Sequence, residues 1–171
     1  DDNTVDVKLR VKEGYKIKNP LHMCFGVLPR EGLQKIVMDV EVEKNAEIKV
    51  MSDCVFPNAV EVKHVMEADI HLAENAKYEY EENHFHGDTG GVEVIAKADI
   101  VLDKESELFT LFTLRKGRVG KIDFDYEAEL ADNSKVEMLT RISGYKDDQV
   151  KIREAAHLNG YNARGLLDSK I

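Results

Sequence analysis

The stretch "EKNAEIKV" (43–50) sets a polar turn residue, Asn45, before a small residue and an alternating apolar and charged run. The device returns as "AENAKYEY" (73–80), "DKESELFT" (103–110) and "ADNSKVEM" (131–138). The centres, Asn45, Asn75, Glu105 and Asn133, stand 30, 30 and 28 residues apart. The flanks keep step. Three residues before each centre are Val42, Leu72, Leu102 and Leu130, and five before are Val40, Ile70, Ile100 and Ala128. Three after are Ile48, Tyr78, Leu108 and Val136, and five after are Val50, Tyr80, Thr110 and Met138. Side chains alternate between the two faces of a strand, so each unit reads as strand, tight turn, strand, with one buried and one wet face. An earlier copy fits around Gly14, with Val7, Leu9 and Val11 before it and Tyr15 and Ile17 after.

At least five such copies are present, and helical periodicity is nearly absent. Hairpins in a sandwich seldom keep a constant period with matched offsets, whereas units that stack on one another do. The expectation is an all-β parallel β-helix, a solenoid of about 30-residue repeats. A β-sandwich of hairpins is the alternative. Ala46, Ala76, Ser106 and Ser134 would sit just past a corner, where room is short. Residues 1–171 read as a single β-helix core domain. The chain begins at Asp1 and ends at Ile171 within the strand-like run "GLLDSKI", so it is expected to be a fragment of something longer.

With 43% hydrophobic and 33% charged residues, the composition suits a soluble fold with a real core. No run of about 18 apolar residues occurs, so no membrane span is expected. The 24 basic and 33 acidic residues give a net charge of −9, which argues against nucleic acid. The basic cluster "LRKGR" (114–118) reads as a solvated turn. Two cysteines are too few for a disulfide framework, and no export signal is visible, so a reduced cytoplasmic setting is expected.

The repeat gives geometry to the chemistry-bearing residues. Cys54 lies nine residues past its centre, His84 nine past the next, and Cys24 ten past Gly14. Rungs stacked about 4.8 Å apart would make Cys54 and His84 neighbours, with Cys24 close below. A thiolate and an imidazole so placed can share a metal or a proton. The competing reading is a stacked interior row, because the next equivalent position is Leu114 and free cysteine is often buried. In "NHFHGDTGG" (83–91), His84 and His86 could meet one metal, but a Gly-rich loop with surface histidines is the preferred reading. Asp123 and Asp125 in "KIDFDYE" (121–127) share a face that could supply an acid–base pair, yet they occupy the polar half of an alternating strand and read as solvated. No nucleophile elbow, phosphate-binding Gly loop or Cys-x-x-Cys pair occurs, so no catalytic residue is assigned.

Several stretches resemble the SufB/SufD family of iron–sulfur cluster assembly scaffolds. "VKEGYKIKNPLHM" (11–23) looks like the strand entering that family's core domain, and "SDCVFPNAVEVKH" (52–64) like its Cys-x-x-Pro segment with a histidine about ten residues on. "HFHGDTGG" (84–91) is similar to its Gly/Asp loop, and "HLNGYNARGLLDSKI" (157–171) to its run of His, then Arg-Gly, then an apolar strand. The resemblance implies a right-handed β-helix that receives or relays sulfur within a complex with an ABC-type ATPase and helps build a transient iron–sulfur cluster. It implies Cys54 and His64 as the sulfur or cluster contacts. Cys24 has no family counterpart and His84 enters only from the rung geometry. The family's cluster-site cysteine and ATPase-docking helices lie beyond Ile171, so the ATPase would be engaged through regions outside this chain. SufD-like members lack much of the cysteine chemistry, which would leave Cys54 structural. A homodimer or a heterodimer with a related scaffold is expected, since long β edges seek partners. The alternatives are a β-solenoid metal-dependent or carbohydrate-active enzyme using His84, His86 and the acidic faces, and a purely structural solenoid.

Overall fold

The computed structural model describes residues 4–171, whose regular structure is twelve β-strands. In chain order these are β1 (Thr4–Val11), β2 (Leu21–Gly26), β3 (Glu31–Val42), β4 (Glu47–Phe56), β5 (Glu61–Leu72), β6 (Lys77–His86), β7 (Val92–Leu102), β8 (Glu107–Leu114), β9 (Lys121–Leu130), β10 (Lys135–Ile142), β11 (Gln149–Leu158) and β12 (Arg164–Lys170). The odd strands form one six-stranded sheet in the order β1-β3-β5-β7-β9-β11, and the even strands a second in the order β12-β10-β8-β6-β4-β2. Every strand pairing is parallel and joins strands two apart in sequence. Hairpins would pair consecutive strands antiparallel, so the sandwich alternative is excluded. One odd strand and the even strand after it make a rung, and six rungs stack into a β-solenoid.

The offsets of the repeat become physical columns. Val42, Leu72, Leu102 and Leu130 are register partners in the odd sheet, and Ile48, Tyr78, Leu108 and Val136 in the even sheet. All eight are buried, and strand β4 alternates strictly between half-buried and buried positions. The alternation is what lets two parallel sheets face each other across one interior.

The odd-to-even corners explain the Asn centres. Gly14, Asn45, Asn75, Glu105, Asn133 and Asn162 all have φ between 57° and 75°. This left-handed conformation is tolerated best by Gly and Asn. In the first five it turns the N–H toward the following rung: for example, Asn45 N donates to Glu74 O at 3.1 Å, Asn75 N to Lys104 O at 3.0 Å, and Glu105 N to Asp132 O at 2.9 Å. Side chains extend the stack, with Asn75 Nδ2 donating to Asn45 Oδ1 at 2.8 Å and Asn162 Nδ2 to Asn133 Oδ1 at 3.1 Å. Ala46, Ala76, Ser106 and Ser134 are fully buried at the corner. The two serine hydroxyls each donate to a carbonyl three residues back, at 2.7 Å.

The sixth copy, around Asn162, is masked by an insertion. Leu130 precedes Asn133 by three residues, but its register partner Leu158 precedes Asn162 by four. The extra residue fits because Gly160 lies against the turn below, where a Cβ would overlap Ala131 and Asp132 backbone atoms.

On the opposite side the rungs join through longer turns, which carry glycines after β6, β8 and β10. Arg115 and Lys116 are exposed there as expected, but Arg118 is tied down. Its Nε donates to Asp148 Oδ1 at 2.9 Å, and its guanidinium also meets Asp147 at 2.6 Å. Burial works against the Asp148 charge, but Arg118 and the N–H groups of Tyr145, Gly120 and Val119 outweigh it and hold its pKa at about 2. The pair Asp123 and Asp125 lies on the outer face, paired with Lys151 and Arg153, so it is the solvated face expected of it. Among the described residues, no helix is long and apolar enough to cross a membrane.

Candidate metal centre inside the solenoid

Strand parity decides which side chains reach the interior. In β4, Ser52, Cys54 and Phe56 point inward, and in β6, Glu82, His84 and His86 do. Cys54 and His84 are register partners on adjacent rungs, as the equal offsets require. His64 stands on β5 in the facing sheet, above Gln34 of β3. All of the ligand-type residues Cys54, His64, Glu82 and His84 are buried, and one donor atom from each lies within 4.8 Å of the other three.

The contacts are specific. Cys54 Sγ lies 3.9 Å from His64 Nε2 and donates to Glu82 Oε1 at 3.5 Å. His84 Nε2 lies 2.7 Å from the same Glu82 oxygen. Behind this first ring, His64 Nδ1 meets Gln34 Oε1 at 3.0 Å and His84 Nδ1 meets His86 Nε2 at 3.1 Å. His86 Nδ1 in turn meets the Arg118 carbonyl at 3.0 Å. Phe56 packs on all three imidazoles, with centroids 5.1, 5.8 and 5.4 Å from those of His64, His84 and His86. Phe112 closes the far side at 4.7 Å from His84.

The electrostatics follow from burial and from Glu82. Burial, then the Glu82 charge, pushes the Cys54 thiol well up. Burial alone would raise the Glu82 pKa, but the hydrogen bond and charge of His84, with His64, reverse this and hold it low, so Glu82 is a carboxylate. Burial, then His84, lowers the pKa of His64 to about 4 and that of His86 to about 3. The result is a thiol, two histidine rings and a carboxylate buried together. Thiolate and imidazole suit iron and zinc, and a mixed sulfur, nitrogen and oxygen set is a transition-metal arrangement rather than one for calcium or magnesium.

Of the four sequence-assigned residues, the structure brings together Cys54, His64 and His84. It does not bring Cys24. Phe25, not Cys24, is the register partner of Cys54; Cys24 lies opposite Asp53 and is exposed. An offset of ten rather than nine reverses the parity, and so the face. The expectation of a loop with surface histidines is also corrected. His84 and His86 share parity with Tyr78 and Tyr80, lie within β6 and are buried, and the Gly-rich loop begins only at Gly87. Glu82 was not singled out from the sequence, although its position two residues before His84 puts it on the same face.

The chain is 35% identical over 170 residues to an iron–sulfur cluster assembly SufBD family protein of Methanocaldococcus jannaschii, covering 99% of this chain and 54% of that protein. It is 33% identical over 170 residues to a SufBD family protein of Pyrococcus horikoshii, covering 52% of it. A second protein of that organism with the same family description is 27% identical over 165 residues, with 36% of it covered. No family model and no solved structure matches the chain. Over nearly its whole length the chain is therefore similar to proteins of the SufBD family, and it spans about half the length of the two more similar of these curated relatives.

Proposed function

We propose that this chain is the β-helix core of an iron–sulfur cluster assembly scaffold, and that its interior receives iron, sulfide or a nascent cluster as cargo. The observation that carries the reading is the enclosed convergence of Cys54, His64, Glu82 and His84 donor atoms within 4.8 Å. Its support is chemical. Cluster iron is held by thiolate first, with imidazole and carboxylate as weaker alternatives. Ser52, beside Cys54 and Tyr80, adds a hydroxyl to the same buried interior. Cys54 is the proposed point of sulfur receipt or relay. An ABC-type ATPase engaged through regions outside this chain, a homodimer or a heterodimer with a related scaffold, and a cytoplasmic setting all belong to this proposal.

The reading is of a scaffold rather than an enzyme. His86 is turned toward His84 and the Arg118 carbonyl, so the pair His84 and His86 does not form a two-histidine site by itself. The acidic pair on the outer face is neutralised by cations on the next rung.

The test is anaerobic loading of the full-length protein with ferrous iron and sulfide, followed by measurement of bound iron, bound sulfide and charge-transfer absorption. The proposal expects iron and sulfide to be retained through desalting, with Cys54→Ser losing most of both. Equal retention by wild type and Cys54→Ser would overturn it.

A further inference from the structure

The hydrogen bonds behind the candidate ligands decide which nitrogen each imidazole presents, and this assigns roles to residues outside the ligand set. We propose that Gln34 and His86, with the Arg118 carbonyl, are positioning residues that hold His64 and His84 with Nδ1 protonated and Nε2 aimed at Cys54 and Glu82. The inference rests on the assembly reading above and deepens it.

A neutral imidazole has one N–H and one lone pair, and the partner of one nitrogen fixes the state of the other. His86 Nδ1 lies 3.0 Å from the Arg118 carbonyl, which can only accept, so that nitrogen carries the proton. His86 is 8% exposed and, among the described residues, no carboxylate is one of its hydrogen-bond partners, so it is neutral and its Nε2 is a lone pair. That lone pair accepts from His84 Nδ1 at 3.1 Å. His84 Nδ1 is thereby fixed as a donor; its Nε2 faces the Glu82 carboxylate, which only accepts, so in the metal-free protein Nε2 donates there as well, and it is the nitrogen a metal would free.

The second chain of bonds comes from the other sheet and ends the same way. Gln34 Nε2 points at the Gly26 carbonyl at 3.5 Å, an orientation that places Oε1 3.0 Å from His64 Nδ1. Turning the amide over would set its oxygen against the Gly26 oxygen. An amide oxygen only accepts, so His64 Nδ1 carries the proton and Nε2 presents a lone pair 3.9 Å from Cys54 Sγ. Phe56, in contact with all three rings, opposes their rotation.

The end of the first chain is itself fixed. Arg118 N donates to Gly87 O at 2.9 Å, and its side chain is held by Asp147 and Asp148. The residue before it, Gly117, has φ 84°, and a Cβ there would collide with the His86 carbonyl. The turn can therefore approach β6 closely enough to offer its carbonyl to the His86 ring. Histidines that bind metals usually donate their other N–H to such an outer partner, and losing that partner weakens the metal site.

The experiment uses the full-length protein, freed of metal by anaerobic chelation. Long-range proton–nitrogen NMR of the imidazoles should show His64 and His86 neutral with the proton on Nδ1. Co(II) titration, read by thiolate-to-cobalt absorption, should then show affinity falling about 10–100-fold in Gln34→Leu and in His86→Phe. Gln34→Glu keeps an acceptor for His64 Nδ1 and should restore most of that loss. A proton on Nε2 of either His64 or His86 overturns the inference, as does unchanged Co(II) affinity in folded Gln34→Leu and His86→Phe. The tautomer measurement needs no variant, so it decides even where a substitution fails to fold. Wild-type protein that takes up no Co(II) overturns the assembly reading itself and this inference with it, whatever the tautomers.

Discussion

Cys54 is chemically quiet in the metal-free protein for two reasons that add. It is 1% exposed, and its thiol is raised by burial and by the neighbouring Glu82 charge. Thiolate is the reactive form, so alkylation at neutral pH should modify Cys24, which is exposed, and spare Cys54 until the chain unfolds. Mass spectrometry of the two cysteine peptides separates the cases, and rapid native labelling of Cys54 would contradict the geometry. The same residues make the fold acid-sensitive. His64 and His86 have folded pKa values of about 4 and about 3, below the ordinary 6.5, because burial disfavours their cations. Between those values and 6.5 the unfolded chain binds more protons than the folded one, so stability is lost as pH falls from neutrality toward 4. Glu82, with its pKa held low, acts in the same direction below its ordinary value of 4.5. The loss from His64 alone should approach the order of 3 kcal/mol in acid. Urea unfolding midpoints of the metal-free protein should drop between pH 7 and pH 4.5, and His64→Met should flatten that slope.

At the scale of the element, the corner is the unit that most of the sequence encodes. Five of the six corner centres carry Gly or Asn, and Glu105 at φ 62° is the exception. A left-handed backbone costs an ordinary L-residue roughly 1–2 kcal/mol, and Asn less, because its short side chain can bond locally. Glu105→Asn should therefore stabilise the chain by about 0.5–1 kcal/mol. It would also place an amide between Asn75 and Asn133, joining the two separate side-chain pairs now seen at the corner. A thermal midpoint raised by about 2–4 °C per kcal/mol is the expected reading, and a lowered midpoint would show that the Glu105 side chain is needed there. This is also where the limits of the sequence are physical. The columns Val42–Leu72–Leu102–Leu130 and Ile48–Tyr78–Leu108–Val136 were readable because parallel stacking forces a fixed period. Asn162 was not, because one inserted residue shifts its offsets, and Cys24 was misplaced by the same one-residue arithmetic. Glu82 was hidden differently. A glutamate in an acidic chain reads as surface, and only the parity of β6 shows it facing inward, where three ligand-type neighbours from two strands of one sheet and one of the other offset its burial.

Over the whole molecule the bonding is one-dimensional. Each rung touches only the rungs beside it, and its polar outer face repeats that logic: Lys63 and Lys121 both reach Glu93, and Arg153 joins Asp125 to Glu127 on the rung below. Exposed pairs of this kind contribute little individually, about 0–1 kcal/mol, so cohesion comes from the stacked interior columns. Strands β3 to β10 are paired on both sides, whereas β1, β2, β11 and β12 are paired on one. The candidate centre sits on β4, β5 and β6, inside the doubly paired region. Nearest-neighbour cohesion predicts a gradient, with amide exchange in this 171-residue chain fastest in the four edge strands and slowest in β5 to β8. It also predicts how damage spreads. Leu102→Ala, at a buried position in the middle of the odd sheet, should cost about 2–5 kcal/mol and speed exchange on both sides of β7, including β5 and β6. Ile152→Ala, on the last odd strand, should speed exchange in β11 and β12 and leave β4 to β6 protected. Hydrogen exchange read by mass spectrometry on both variants decides between this picture and a single all-or-none unit, in which either substitution would lower protection everywhere by the same factor. If the gradient holds, the Cys54 centre on β4, β5 and β6 stays assembled while the ends of the stack open and close.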